Sequence, residues 1–507
     1  MAQATGERLP AVWLLVGIQG AVSAASLVVE IVAGRMLAPY VGMSLYTWTS
    51  VIAVVLAGFS AGHWAGGRIA ELPAPRALRL TAWAMALAAL STAGAVFALR
   101  AAAGPVLGGI DSLVAGIVLL SAVAFFLPSF FAGVPAPVLA QIAVVARPAQ
   151  SGRALGAIFA ASALGAIAGT LAAGFVFISW LGSVGTLAAV TAVYGVLAAV
   201  LLAGRARWPL VVLAGIVPLA LAGAALARPD PCTVESDYFC IRVIDRPGED
   251  GGLTRLMVLD HLVHGISSRD APQEQFTYHA AVLDALARAR MGARPFAAYF
   301  IGGGTYSIPR AWAARGLAAD VTVAEIDPAV TQTAIDSFWF DPATARILPQ
   351  DARRALAEGD GRYDVIVGDA FTDIAVPAHL VSDEFFALVA DRLDAQGIYL
   401  MNVIDHADRL DALSAIVRTL QTHFPVVEVW ADPDSIATEN RQVFILMAGQ
   451  TPTGFAALAV PGGQGFRTAR LSQRAVDRLI AQRDPPILTD DYSPIDRLIG
   501  TGRPEDR

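Results

Sequence analysis

The sequence predicts a chain of two parts. Residues 1–230 are expected to form an all-α bundle of about seven transmembrane helices, and residues 296–507 an α/β unit built on an open, doubly wound sheet, with a small β-hairpin and helix at 231–295 leading into it. Three observations predict this division. Of 507 residues, 55% are hydrophobic and only 16% charged, which excludes a single soluble domain. The charges are unevenly divided: residues 1–227 hold ten arginines and four acids, whereas residues 228–507 hold 26 arginines and 39 acids. Beyond Cys232, long apolar runs give way to short strand and helix patterns in alternation. The acidic second half argues against nucleic acid as its partner and suits small cationic ligands.

Apolar runs of the roughly 20 residues that cross a bilayer occupy about 11–33, 46–67, 79–99, 111–134, 155–178, 182–203 and 209–227. The first fits a cleavable signal peptide poorly, because it has no basic leading segment and six more runs follow. Gly62 with Gly66, and Gly165 with Gly169, are spaced four apart, so each pair sets two small residues on one helix face where a neighbouring helix can approach. Connections on the side of the N-terminus carry Arg8, Arg68, Arg76, Arg79, Arg147, Arg153, Arg205 and Arg207; only Arg35 and Arg100 fall on the other side. This bias expects a multi-pass protein of the cell (inner) membrane with its N-terminus in the cytoplasm and, for an odd number of spans, its acidic half outside. The two cysteines, Cys232 and Cys240, fit either a disulfide in an oxidising compartment or two thiols.

In the second half, 239–244 and 254–259 flank a Pro/Gly-rich turn and are expected to form a hairpin. An amphipathic helix follows over 273–289, carrying Tyr278 and His279. Strands are expected at 297–301, 321–324, 346–348, 363–367 and 397–403, with helices after Ser307, after Pro328 and over 383–393; this alternation predicts a largely parallel sheet whose ligands bind at the C-terminal strand ends. Those ends carry the polar residues. Gly302, Gly303 and Gly304 follow the first strand, where missing side chains let backbone approach a ligand. Glu325, Ile326 and Asp327 follow the second, at the distance where an acid meets two ribose hydroxyls, and Asp351 follows the third. Glu325 and Asp351 also suit helix N-caps. After the fourth strand, Asp369 and Asp373 are expected to face one crevice, able to bind an ammonium group and accept its proton. Asp260, His261 and His264 form a second polar group, and Tyr278 with His279 a third. No pair has convincing metal-ligand spacing, so no metal site is expected.

Taken in order over about residues 238–450, Leu259-Asp260, Tyr278-His279, the glycine triplet, Glu325-Ile326-Asp327, Asp351, and Gly368-Asp369 with Asp373 resemble the spermidine synthase (polyamine aminopropyltransferase) family, in particular its membrane-fused branch. The resemblance implies a Rossmann-like methyltransferase/spermidine-synthase fold, possession of a sulfonium nucleoside site with Glu325 on the ribose and Asp351 near the adenine, and Asp369 as proton acceptor. Asp373 and Asp260 would hold the amine, together with His264, Tyr278 and His279. It also suggests a homodimer. Leu488 to Pro494 looks like the closing segment of the membrane-fused branch. Where the family's soluble members have an Asp after the glycine triplet, this chain has Thr305; His261 and His264 replace a glycine and a glutamine, and Ala280 a glutamate. Without that Asp, a donor keeping its carboxylate meets less repulsion, so S-adenosylmethionine stands beside its decarboxylated form as co-substrate. No metal is implied.

The leading expectation is aminopropyl transfer from decarboxylated S-adenosylmethionine to putrescine or a similar amine, releasing methylthioadenosine. A methyltransferase, lyase or cyclase on the same fold is the second, and a non-enzymatic membrane sensor or transporter the third. The resemblance implies a donor made in the cytoplasm, whereas the arginine bias sets the acidic half outside.

Overall fold

The computed structural model describes residues 10–203, 206–248, 252–371, 375–434, 441–460 and 465–500. It separates into two compact units, Met1–Pro231 and Cys232–Arg507.

The first unit is entirely helical. Among the described residues six continuous helical stretches are long and apolar enough to cross a membrane: Val12–Val41, Leu45–Ala70, Ala74–Gly109, Leu113–Ala146, Pro148–Leu202 and Trp208–Leu226. The two runs expected at 155–178 and 182–203 are joined in the fifth stretch, which breaks at Gly182 (φ 66°, ψ 176°). A straight helix of 55 residues would measure roughly 80 Å, far more than a bilayer core, and the break makes two apolar segments of it. Both glycine pairs sit at backbone-to-backbone crossings. A Cβ on Gly165 would lie 2.2 Å from the Gly20 carbonyl oxygen and one on Gly169 2.2 Å from that of Ala24; Gly62 and Gly66 meet the Phe130 and Val134 carbonyls as closely.

The second unit opens with a four-stranded antiparallel meander: β1 (Val234–Glu235), β2 (Cys240–Pro247), β3 (Leu253–Leu259) and β4 (Leu262–Ser268). Cys232 and Cys240 are disulfide-bonded, with Cα atoms 5.2 Å apart. The expected hairpin is β2–β3; β4 was not expected, because Leu262–Ser268 lacks a clear apolar alternation. The helix expected from residue 273 begins at Tyr278 and runs to Met291, because Thr277 is extended (φ −118°) and the chain before it does not coil.

A nine-stranded sheet follows: β5 (Phe296–Ile301), β6 (Ala319–Ala324), β7 (Arg346–Leu348), β8 (Tyr363–Gly368), β9 (Leu393–His406), β10 (Val426–Ala431), β11 (Arg441–Gly449), β12 (Ala457–Ala459) and β13 (Arg467–Arg470). Their spatial order is β7-β6-β5-β8-β9-β11-β10-β13-β12. The first five are parallel and the last four join antiparallel, so the sheet is mixed rather than largely parallel. β10 is reached from β9 through the helix Asp411–Leu420, while β10–β11 and β12–β13 are antiparallel neighbours joined by short connections. Both faces of the central strands are buried: along β5, Tyr299 and Ile301 enter one core while Ala298 and Phe300 enter the other, as a period of two requires. The strand order reverses between β5 and β8, and a crevice opens at such a point beyond the strand ends.

Candidate active site

Gly302 leaves β5 at φ 91°, and Gly304 (φ 51°) and Tyr306 (φ 54°) follow in the left-handed region. The triplet is needed for close approach. A Cβ on Gly302 would lie 2.7 Å from the Asp369 carbonyl oxygen, and one on Gly303 2.4 Å from the Tyr306 ring. Tyr306 is anchored beneath by a 2.7 Å hydrogen bond with Thr331 and by stacking on Phe340. Thr305 is buried under β4, so near that a Cβ on Gly265 would collide with its hydroxyl.

Glu325, at the end of β6, ties this loop to the next. Its Oε2 accepts from the Gly303 amide (2.8 Å) and its Oε1 from the Asp327 amide (2.9 Å). A carboxylate has about four lone-pair sites, so these bonds leave room for a ligand hydroxyl. Burial pushes the Glu325 carboxyl above its ordinary value, opposed by these backbone donors. Asp351 caps the helix Ala352–Glu358 by accepting from the Arg354 amide (2.9 Å), and its other oxygen lies 2.8 Å from His379 Nε2. Both acids therefore serve backbone ends while also lining the crevice.

Asp369 follows β8. Its amide donates to the Ile301 carbonyl (3.0 Å), locking the ends of β5 and β8 together. Its Oδ1 accepts from Asn402 Nδ2 (2.9 Å), and its Oδ2 lies 3.9 Å from His279 Nε2. His264 Nδ1 sits 3.0 Å from the Leu262 carbonyl, and burial lowers its pKa, favouring the neutral ring.

These groups line one cavity of about 410 Å³. It brings together Gly302, Gly303, Gly304, Thr305, Glu325, Asp351, Asp369, His264 and His279. Three expected site residues have other uses. Asp327 caps the helix Pro328–Ser337 and accepts from Ser236 Oγ. Asp260, at φ 54° in the β3–β4 turn, accepts from the Cys240 amide (2.9 Å). Tyr278 bonds Thr468 through its hydroxyl (2.9 Å), its pKa pushed up to about 12 by burial. None of the three is on the cavity wall. Asp373 lies outside the described residues. Asn402 was not anticipated, although a polar residue inside the apolar run of β9 was the available signal. Among the described residues no group of three or more metal-ligating side chains occurs.

The wall follows the strand order. Asp351 and His379 stand beyond β7, Glu325 beyond β6 and the glycines beyond β5, with Ile326, Phe371, Pro377 and Leu380 making an apolar slot beside them. Asp369 stands at the centre, and Asn402, Ile404 and Val443 continue on β9 and β11. Acids near one end that can take hydroxyls, an apolar slot for a flat ring and a central carboxylate suit a nucleoside on one side and a nucleophile on the other.

No family model matches the chain. A polyamine aminopropyltransferase of Vibrio vulnificus (strain CMCP6) is 32% identical over 158 residues, covering 30% of this chain and 52% of that protein. A probable polyamine aminopropyl transferase of Bifidobacterium longum (strain NCC 2705) is 34% identical over 84 residues, covering 17% of this chain and 19% of that one. The chain thus spans about half the length of the first relative and about a fifth of the second. Among solved structures, a probable spermidine synthase from Corynebacterium glutamicum ATCC 13032 matches with a TM-score of 0.45 at 21% identity, over 51% of this chain and 96% of that one.

Proposed function

We propose that the soluble unit of this chain, a relative of the polyamine aminopropyltransferases, transfers the three-carbon amine arm of a sulfonium nucleoside to a small primary amine. The observation that supports this reading is that Asp369, at the sheet's switch point, lines the same cavity as the glycine loop and Glu325 and as Asn402, Ile404 and Val443. The donor would be decarboxylated S-adenosylmethionine or S-adenosylmethionine itself. Its ribose hydroxyls suit Glu325, and its base suits the slot bounded by Ile326, Phe371 and Leu380 beside Asp351.

The chemistry asks three things of the protein: to bring two cations together, to remove a proton from the attacking ammonium and to exclude water. Asp369 answers the first two. Its carboxylate offsets the paired positive charges and accepts the ammonium proton, so that a neutral amine attacks the carbon next to sulfur. A C–N bond forms, the C–S electrons return to sulfur, and neutral methylthioadenosine leaves. Thr305, buried against Gly265, is the residue that would bear on the donor's carboxylate. Thr305→Asp should shift preference toward the decarboxylated donor, and an unchanged preference would remove Thr305 from that role.

The test is mass spectrometry of products from detergent-purified protein given either donor, with and without an amine. Amine-dependent methylthioadenosine supports the proposal. S-adenosylhomocysteine would assign methyl transfer, amine-independent methylthioadenosine a lyase or cyclase, and no turnover a binding or transport role.

For localisation we propose a multi-pass protein of the cell membrane with its soluble unit outside the cytoplasm. The arginine bias, the Gly182 break that makes seven apolar segments and the Cys232–Cys240 disulfide support this side. Protease added to right-side-out vesicles should cleave the soluble unit; full protection would reverse the assignment.

A further inference from the structure

Residues 232–240 play no part in the transfer step, yet their tip lies on the cavity. The Cys232–Cys240 disulfide closes them into a loop, and β1 meets β2 there in only two residue pairs, Val234–Ile241 and Glu235–Cys240. A ladder that short is marginal by itself, so the covalent link and the hydrogen bonds of the tip hold its shape. Cys240 is fixed to the β3–β4 turn: its amide donates to Asp260 Oδ1 and its carbonyl accepts from the Asp260 amide, both at 2.9 Å. At the tip, Tyr238 and Phe239 stand on the cavity wall, the Phe239 ring 6.5 Å from that of His264.

Ser236 connects this tip to the acid beyond β6. Its hydroxyl oxygen accepts from the amides of Tyr238 (3.1 Å) and Phe239 (2.8 Å). Its proton goes to Asp327 Oδ2 rather than to the Phe239 carbonyl, 3.2 Å away, because a carboxylate is the stronger acceptor. Asp327 is gripped on its other oxygen by the Ala329 amide (2.9 Å), and its own amide donates to Glu325 Oε1 (2.9 Å). Ser236, Asp327 and Glu325 are each less than a tenth exposed, so the series from loop to Glu325 runs through protein interior, where hydrogen bonds are stronger than in water.

Resting on the reading of Glu325 as the group that meets the ribose, we propose that the disulfide-closed loop is part of the nucleoside site: Tyr238 and Phe239 supply wall, and Ser236 is a positioning residue that fixes Glu325 through Asp327. Nucleoside affinity is thereby tied to the oxidation state of the two cysteines. Cys232 is half-buried and Cys240 buried, so a dithiol reaches the bond from the Cys232 side. It gives up two electrons and two protons, the S–S bond becomes two thiols, and the sulfurs of the reductant join in a disulfide of their own. Once released, the short ladder no longer holds Ser236 against Asp327. A site built this way is complete where disulfides persist, outside the cytoplasm.

Calorimetry on the full chain in detergent tests this, comparing methylthioadenosine with its 2′,3′-dideoxy analogue, which lacks the hydroxyls that Glu325 accepts. The oxidised protein should bind methylthioadenosine about 10- to 100-fold more tightly than the analogue, the worth of one or two hydrogen bonds to a charged group. Ser236→Ala and reduction by a dithiol should each bring that ratio down toward one, and reoxidation should restore it. Cys232→Ser combined with Cys240→Ser should show the small ratio with or without the dithiol. A merely structural role would weaken both ligands together and leave the ratio unmoved. A full ratio in either Ser236→Ala or the folded, reduced protein, or an oxidised protein that does not distinguish the two ligands, would overturn the inference while leaving nucleoside binding and transfer intact. Should reduction unfold the protein, the ratio in Ser236→Ala decides alone. Oxidised protein that binds neither nucleoside would overturn the inference and the transfer reading together.

Discussion

Asn402 Nδ2 donates to Asp369 Oδ1 at 2.9 Å, so the carboxylate at the end of β8 is oriented by the strand beside it. The contact separates two roles that mutation can resolve. Asp369→Asn keeps the shape and removes the proton acceptor, and turnover should fall by about 10²–10⁴, the usual cost of losing a general base. Asn402→Ala leaves the acceptor in place but frees it to rotate, so KM for the amine should rise together with a smaller loss in kcat. Steady-state kinetics with a melting curve for each variant decides; near-normal kcat in Asp369→Asn would remove Asp369 from proton transfer.

Glu325 offers a test on binding alone. Both its oxygens accept backbone N–H groups, from Gly303 and Asp327. In Glu325→Gln an amide nitrogen must face one of those donors, so the glycine loop loses a tie and methylthioadenosine affinity should fall by about 10- to 100-fold, the equivalent of one or two charge-assisted hydrogen bonds. The sign of the pH dependence follows from burial, which raises the Glu325 pKa. The ionised form accepts ribose hydroxyls, so affinity is full above the raised value and declines as pH falls through it. Calorimetry across pH should show this decline beginning above the ordinary carboxylate range and flattening in Glu325→Gln. A decline that persists unchanged in the variant would assign it to another group.

The strands β5, β6 and β8 were legible because buried parallel strands are short apolar runs ended by glycine or acid, as 297–301, 321–324 and 363–367 are, by Gly302, Glu325 and Gly368. The crevice residues followed from the same logic, since topology alone carries Gly302 and Asp369 to neighbouring strand ends. Asp260, Tyr278 and Asp327 were harder to assign, because a buried acid or phenol beside a site can serve backbone or framework instead. Only the register shows that Asp260 accepts from Cys240 and that Tyr278 bonds Thr468, 190 residues away. Asn402 was hidden within an apolar strand. The antiparallel β10–β13 rest on long-range pairing that local periodicity does not encode.

The closing segment Leu488 to Pro494 acquires a structural role. Arg353 donates to both oxygens of Asp490, at 2.6 and 2.7 Å, and Ser382 Oγ donates to one of them at 2.6 Å. Arg353 lies two residues beyond Asp351, so the segment braces the helix that Asp351 caps. The Arg353 hydrogen bonds, helped by Ser382, hold the Asp490 carboxyl down at about 2. A depressed acid contributes stability above its unfolded value, 3.8, and loses it as pH falls through about 2. The Asp490 side chain is 41% exposed, so screening limits the pair to about 1 kcal/mol or less. Asp490→Asn should lower the melting midpoint by about 1–3 °C at pH 7, and the difference from the unchanged protein should shrink as pH falls from 3.8 toward 2. An equal difference at both ends would mean that the pair is not its source.

In the helical unit, Gly165 and Gly169 face the carbonyl oxygens of Gly20 and Ala24, where an added Cβ would lie 2.2 Å from each. These obstacles are backbone, which cannot rotate aside, so Gly165→Ala must push apart the helices Val12–Val41 and Ser151–Ala172. Helix association in lipid draws on close packing rather than hydrophobic burial, and separation forfeits dispersion contacts along the whole crossing. Overpacking of this kind costs about 1–3 kcal/mol. Gly156 lies on the same helix with nothing within 4 Å of its Cβ position, so Gly156→Ala introduces the same methyl without the collision and controls for helix propensity. Unfolding of the detergent-solubilised protein should show Gly165→Ala less stable and Gly156→Ala unchanged or slightly more stable. Equal effects from the two substitutions would show that the crossing tolerates separation and that the small residues at Gly165 and Gly169 do not set it.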